Sequence, residues 1–453
     1  MAQDYLGNAV SDGDPATLAA IDDFVGGSLA YETRLTRIVA AADSAPDHGL
    51  AAVYAGMVQM LGETGDAAAA ARPYMDAAEG AVVNEREALL RRALREWVAD
   101  DLDAVVATLS VVLDRFPRDL AALKLLHYHL FNRGAFADML RAALRAAAVA
   151  PEMPHVHGMV AFAYEQCHLL DDAEAAARRA LALSAREPWA QHALAHVMLT
   201  RGRIDEGAAF LEAARPLWTD LTSFMVTHLY WHLALFYLSQ GREADALAAY
   251  DGQVWAFTRE YSQDQIGAVS LLARFEMAGI DVGDRWEAVG RYLAARADDV
   301  VQPFLSVQYL YGLARAGRSE ADRLMAAIER VATHGPQHSR AAWRSAGLPL
   351  ARGVLAQARG DHASAAADLD AAIPHLARIG GSHAQRDLFE QLLLAAQIAN
   401  GDLGEAQQRL ELRRVHDPDG VALNRQLAGV YLALGLPDLA ARAQDRVRAR
   451  LAA

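Results

Sequence analysis

Two stretches of this chain set histidines four residues apart: His192 and His196 in "WAQHALAH", His228 and His232 in "THLYWHLAL". On a helix that spacing turns both rings to one face. Two such pairs on facing helices suit three kinds of chemistry. They can supply imidazoles to one zinc or iron ion. They can line a metal-free polar pocket as hydrogen-bonding groups or general acid and base. They can also bridge neighbouring helices as satisfied structural groups. No "HExxH" and no di-iron type carboxylate–histidine motif accompanies them, so no cofactor is assigned, with a divalent metal at His192, His196, His228 and His232 as the alternative. No serine, cysteine or threonine sits in a nucleophile motif, and no glycine-rich phosphate loop follows a strand. The catalytic candidates are therefore the four histidines and Glu165, a carboxylate brought towards them by the repeat register below.

The elements that must position these residues are helices. Alanine, leucine, arginine and glutamate dominate, apolar residues recur at three and four, and β-branched alternation is almost absent. The breaks are short, as in "RGAF", "RGRID", "QGREAD", "NGDLGEA" and "LGLPD". They recur within a unit of roughly 34 residues, seen in "ALAHVMLTRGRIDEGAAFLEAARP" and "LALFYLSQGREADALAAYD", which is the tetratricopeptide signature. The expected fold is an all-α right-handed solenoid of helical hairpins, curled around its concave face. One solenoid is expected over 1–453: N-terminal helices at 1–118, the best-formed repeats with the histidine-rich groove at 119–256, a divergent helical middle at 257–347, and C-terminal repeats at 348–453.

Taking the turn glycine as position fifteen of each unit sets which residues face the groove. With Gly202 there, Trp189, His192, His196 and Leu199 face it; with Gly134, Ala121, Lys124, Tyr128 and Phe131 do. The unit "PHVHGMVAFAYEQ" offers His155, Gly158, Phe162 and Glu165. Gly241 places His228 and Trp231 there, with His232 one step round the helix. Four consecutive first helices thus aim polar or aromatic groups at one concavity. Lys124 and Tyr128 suit an anionic ligand, against rim packing as the plainer reading. Trp189 and Trp231 pack and wall the pocket. In "GGSHAQRD", Ser382 caps a helix whose first turn holds His383 and Arg386. That turn either favours an anion or spends Arg386 on an ion pair with Asp387. Cys167 reads as a buried small hydrophobe.

Bulk properties narrow the partners. Hydrophobic residues make up 53% and charged residues 22%, which marks a folded chain. A net charge of −14 argues against nucleic acid, whose phosphates need a basic face. A single cysteine rules out an internal disulfide and any multi-thiolate metal site. With no basic-then-apolar start and no apolar run of spanning length, the sequence predicts a cytoplasmic protein that engages no membrane.

Several of these stretches, in the same order, resemble the tetratricopeptide repeat protein 38 family: "PWAQHALAHV" with "RIDEGAAFLE", "THLYWHLALFYLSQGREADALAAYD", "SLLARFEMAGIDVGDRWE" and "GGSHAQRDLFEQLLLAA". "FAYEQCHLLDDAEAAARRAL" and the opening "DYLGNAVS" also fit, so the resemblance spans nearly the whole chain. It implies an α-helical repeat fold and carries no assigned reaction. The chain departs from the family at Leu229, where asparagine is usual, and at Gly267 and Ala273, in a block that typically holds an aspartate. A "FNDxH" block reads Phe304, Leu305, Ser306, Val307 and Gln308. Two function classes follow. One is a binding protein whose histidine-rich concavity holds a small polar molecule or a peptide segment. The other is an enzyme, hydrolytic, lyase-like or metal-assisted, working in the same pocket.

Overall fold

A computed structural model describes residues 2–452. The chain is an all-α array of helical hairpins of the tetratricopeptide-like kind. The helices that carry the site residues are α1 (Pro15–Ala30), α2 (Leu120–Asn132), α3 (Pro154–Gln166), α4 (Pro188–Thr200), α5 (Ser223–Gln240), α6 (Ser262–Met277), α7 (His383–Asn400), α8 (Val421–Ala433) and α9 (Pro437–Ala452). No described helix is long and apolar enough to cross a membrane.

One backbone device makes the hairpins. After each first helix a residue takes the left-handed conformation: Gly134, Gly202, Gly241, Gly360, Gly401 and Gly435 all have φ between 66° and 88°. The amide of the next residue then reaches back five positions, as from Arg203 to Met198 and from Leu436 to Tyr431, closing the last turn. The divergent middle uses the same device at Gly279 and Gly317. After α3 the position is filled by His168, at φ 61°, without a glycine.

The chain divides into two compact units, residues 2–194 with 216–225, and 195–215 with 226–452.

In the first unit the opening residues depart from the expected N-terminal helices. Ala2–Gln3 pairs antiparallel with Ala9–Val10, and the turn is built on Asp4, which accepts from the amides of Leu6 and Asn8. Asp4 then sits 3.4 Å from Arg86, which donates to Asp119 at 2.9 Å. A guanidinium held between two buried carboxylates fixes this hairpin to the helices.

The second unit closes head to tail. Arg450 of α9 donates to Asp205, Ser239 of α5 to Asp417, and Gln426 of α8 to the Met277 carbonyl. Gly202 sits at that closure, where any Cβ would collide with the His416 carbonyl oxygen. Two demands therefore coincide on one residue: positive φ and close backbone approach. Gly202→Ala is expected to destabilise the protein by at least about 2 kcal/mol, read as a fall in the denaturant midpoint; an unchanged midpoint would show that the closure is loose.

Candidate functional site: a histidine set and a lysine cage

In the second unit α4 and α5 bring histidines together. Ring nitrogens of His196, His228 and His232 lie within 4.8 Å of one another. The His196 and His232 rings stand 4.5 Å apart, and those of His228 and His232 4.9 Å apart. All are buried. Burial holds His228 down at about 3 and His232 well below its ordinary value, with His196 adding to both shifts. These two imidazoles are neutral at neutral pH, so each keeps a nitrogen lone pair.

Their surroundings come from α5 and α6. Trp231 stacks on His228 at 5.4 Å and meets His232 edge-on at 4.8 Å. The Arg274 guanidinium lies 5.3 Å from the Trp231 ring and donates to the carbonyls of Ser270 and Ala384. Its charge helps to hold His232 down. Asp264, fully buried, accepts from the Thr227 hydroxyl at 3.0 Å and so braces the residue next to His228.

In the first unit α2, α3 and α4 build a different environment. Lys124 of α2 places Nζ 3.5 Å from the centroid of Tyr31 and 5.1 Å from that of Trp189. Tyr31 stacks on Trp189 at 5.0 Å, and Trp189 in turn meets Phe162 at 4.6 Å and His192 at 4.4 Å. Tyr31 ends α1 in the left-handed conformation, φ 57°, where glycine is the usual choice. Its carbonyl accepts from the Thr222 amide at 2.7 Å, which ties the strained residue down. The anion facing the amine is Glu187. Its carboxylate accepts from the Ala190 amide and lies 3.3 Å from His155 Nδ1. Gly158 makes room for it, since a Cβ there would stand 2.6 Å from Glu187 Oε2. Burial lowers the Lys124 amine to about 7, against the opposing pull of Glu187.

The remaining expected residues fall elsewhere. Tyr128 donates its hydroxyl to Glu63 at 2.9 Å, so this phenol already serves a carboxylate. Glu165 is fully buried and accepts from the Gln166 side chain. Ser382 caps α7 in a full capping box with Gln385, and His383 lies 3.3 Å from the Arg386 guanidinium. Arg386 and Asp387, expected to pair with each other, take other partners. Asp387 pairs with Arg413 at 2.5 Å, and Arg386 donates to the Gly381 carbonyl. Adjacent residues on a helix point apart, which is why they do not meet. Where the chain departs from the resembling family, Leu229 is core, Ser306 donates to the carbonyls of Asp299 and Gln302, and Gln308 donates to that of Phe304. Cys167 is only partly buried.

Sequence reasoning missed Tyr31, Glu187, Asp264 and Arg274. Two carried a signal. Glu187 stands just before Pro188 at a helix start, and Arg274 interrupts the apolar run "SLLARF".

No family profile matches the chain. Among solved structures, the human IFIT1 dimer with PPP-AAAA is similar at 15% identity and TM-score 0.42, with 95% of each chain covered. A chain of the APC/C hetero-tetramer Cut9–Hcn1 is similar at 14% identity and TM-score 0.39, over 88% of this chain and 60% of that one. A tetratricopeptide repeat protein from Parabacteroides merdae shows 13% identity and TM-score 0.34, over 68% of this chain and 98% of its own. These are likenesses of helical-repeat fold alone.

The lysine gives a pH dependence with a definite sign. Its ordinary value is 10.5 and its native value about 7, so between them the unfolded chain binds the extra proton and native stability rises with pH. Lys124→Met is expected to raise the melting temperature at neutral pH, with the gain shrinking as pH climbs from about 7 towards 10.5. A gain that stays constant across that window contradicts the assignment.

Proposed function

We propose that this protein is a helical-repeat binding protein whose histidine set takes a divalent transition metal ion, to which a small polar ligand adds. The observation that carries the reading is the convergence of His196, His228 and His232 within 4.8 Å, two of them neutral through burial. Imidazole suits zinc, copper, iron and nickel. Nitrogens bound to one tetrahedral zinc stand about 3.3 Å apart, so modest side-chain rotation brings these three into range. Three protein ligands leave a fourth position open. Arg274 nearby makes a bare cation costly and favours an anionic donor at that position, such as a ligand carboxylate.

Repeat arrays as a class bind partners along their inner helices, which supports binding as the general role by analogy of fold. The ordered blocks quoted above support placing the chain with the tetratricopeptide repeat protein 38 family. They suggest no reaction, and the polar groups that differ from that family are spent on the backbone or replaced by core residues. A peptide segment is the competing occupant, and nothing about the buried histidines favours it.

The test is metal content by mass spectrometry after purification without chelator or added metal. Near-stoichiometric zinc or iron is expected in the wild-type protein. At least about a tenfold loss is expected in His196→Gln and His232→Ala variants that keep their helical circular dichroism. Trace metal in the wild type, together with no visible absorption band on adding cobalt(II), would overturn the reading.

A further inference from the structure

Across 453 residues the chain uses 42 arginines and one lysine, Lys124. Wherever a surface cation pairs with a carboxylate the residue is arginine, as in Arg92–Glu96 and Arg178–Glu174. The one amine stands instead in the aromatic cage of the first unit. A guanidinium stays charged in any protein environment, whereas an amine can shed its proton and expose a nucleophilic lone pair. What lysine supplies at 124 and arginine cannot is that lone pair.

We propose that Lys124 is a covalent-capture residue, whose ε-amine forms a reversible imine with a small aldehyde or ketone seated against Tyr31 and Trp189. The site lies wholly within the first unit. Lys124, Tyr31 and Trp189 are each partly exposed, so the cage borders solvent, and buried Phe162 packs against Trp189 behind it. Tyr31 and Trp189 stack with rings 29° apart and form an aromatic wall beside the amine, a surface that suits an aromatic or conjugated carbonyl compound. Tyr31 is kept over the amine at the expense of a strained backbone, the pattern expected where a side chain's position matters more than local stability. The desolvated amine is partly neutral near pH 7, which supplies the reacting form.

The chemistry is a condensation. The amine lone pair attacks the carbonyl carbon and forms the C–N bond, and the carbonyl oxygen takes up the proton given by nitrogen. A second proton, lost from nitrogen, leaves with that oxygen as water while the C=N bond forms. Hydrolysis reverses the step, and neither oxidant nor reductant is consumed. Protonation of the imine would place a positive charge in the field of Glu187, which the Ala190 amide and His155 hold in place.

A single lysine makes the test clean. The full-length protein is treated with benzaldehyde and sodium cyanoborohydride near pH 7, which reduces any imine to a stable amine, and the adduct is located by peptide mapping. One side-chain adduct at Lys124 is expected. Its rate should exceed by at least about tenfold that of a solvent-exposed control lysine, placed by Arg141→Lys in a Lys124→Arg background. Tyr31→Ala, confirmed as folded by circular dichroism, should lose that advantage. Labelling of Lys124 no faster than the control, or only after unfolding, would overturn the proposal. So would full reactivity in the Tyr31→Ala variant.

Discussion

Close approach of helices is the constraint on which the rest depends. Alanines fill the contact faces of the first helices: Ala161 and Ala163 on α3, Ala193 and Ala195 on α4, all fully buried. The left-handed turn and its five-residue back-bond fold each second helix tightly against its first. With so little side-chain bulk between them, first helices are covered nearly all round, and polar groups on them lose water. The four paired histidines on such helices are buried, and the one lysine keeps only part of its surface in water.

What replaces the lost water differs from group to group and decides its chemistry. Arg86 finds two carboxylates and remains a charged strut. Arg274 finds two carbonyls and a tryptophan face. His228 and His232 find each other and Trp231, and burial keeps both neutral. Lys124 finds the faces of Tyr31 and Trp189 and the field of Glu187, which favour its charge, while burial outweighs them and lowers the amine. The same packing rule thus produces a charged strut, a set of neutral imidazoles and an amine whose affinity for its proton is lowered.

Much of this was legible in the sequence because glycine reports backbone conformation directly. Each quoted break with a glycine became a left-handed turn, and the histidine pairs stand on the helices that periodicity assigned. The fold class followed from that regularity. Residues whose roles depend on a partner distant in the chain were not legible. Tyr31 is ordinary in sequence and acquires its place only through the backbone of Thr222. Glu187 matters because Gly158 on another helix leaves a space. Asp387 pairs 26 residues along with Arg413, where sequence proximity had suggested its neighbour. The opening hairpin was hidden for the same reason, since Asp4 owes its turn to local amides and its anchorage to Arg86.

The central claim, that helix packing strips water from polar groups on the first helices, is most directly tested on Lys124. Protein labelled with lysine carrying carbon-13 at Cε gives one side-chain signal, because the chain has one lysine. Followed by nuclear magnetic resonance against pH, that signal is predicted to titrate with a midpoint near 7. A midpoint near the ordinary value of 10.5 would show a solvated amine and contradict the account.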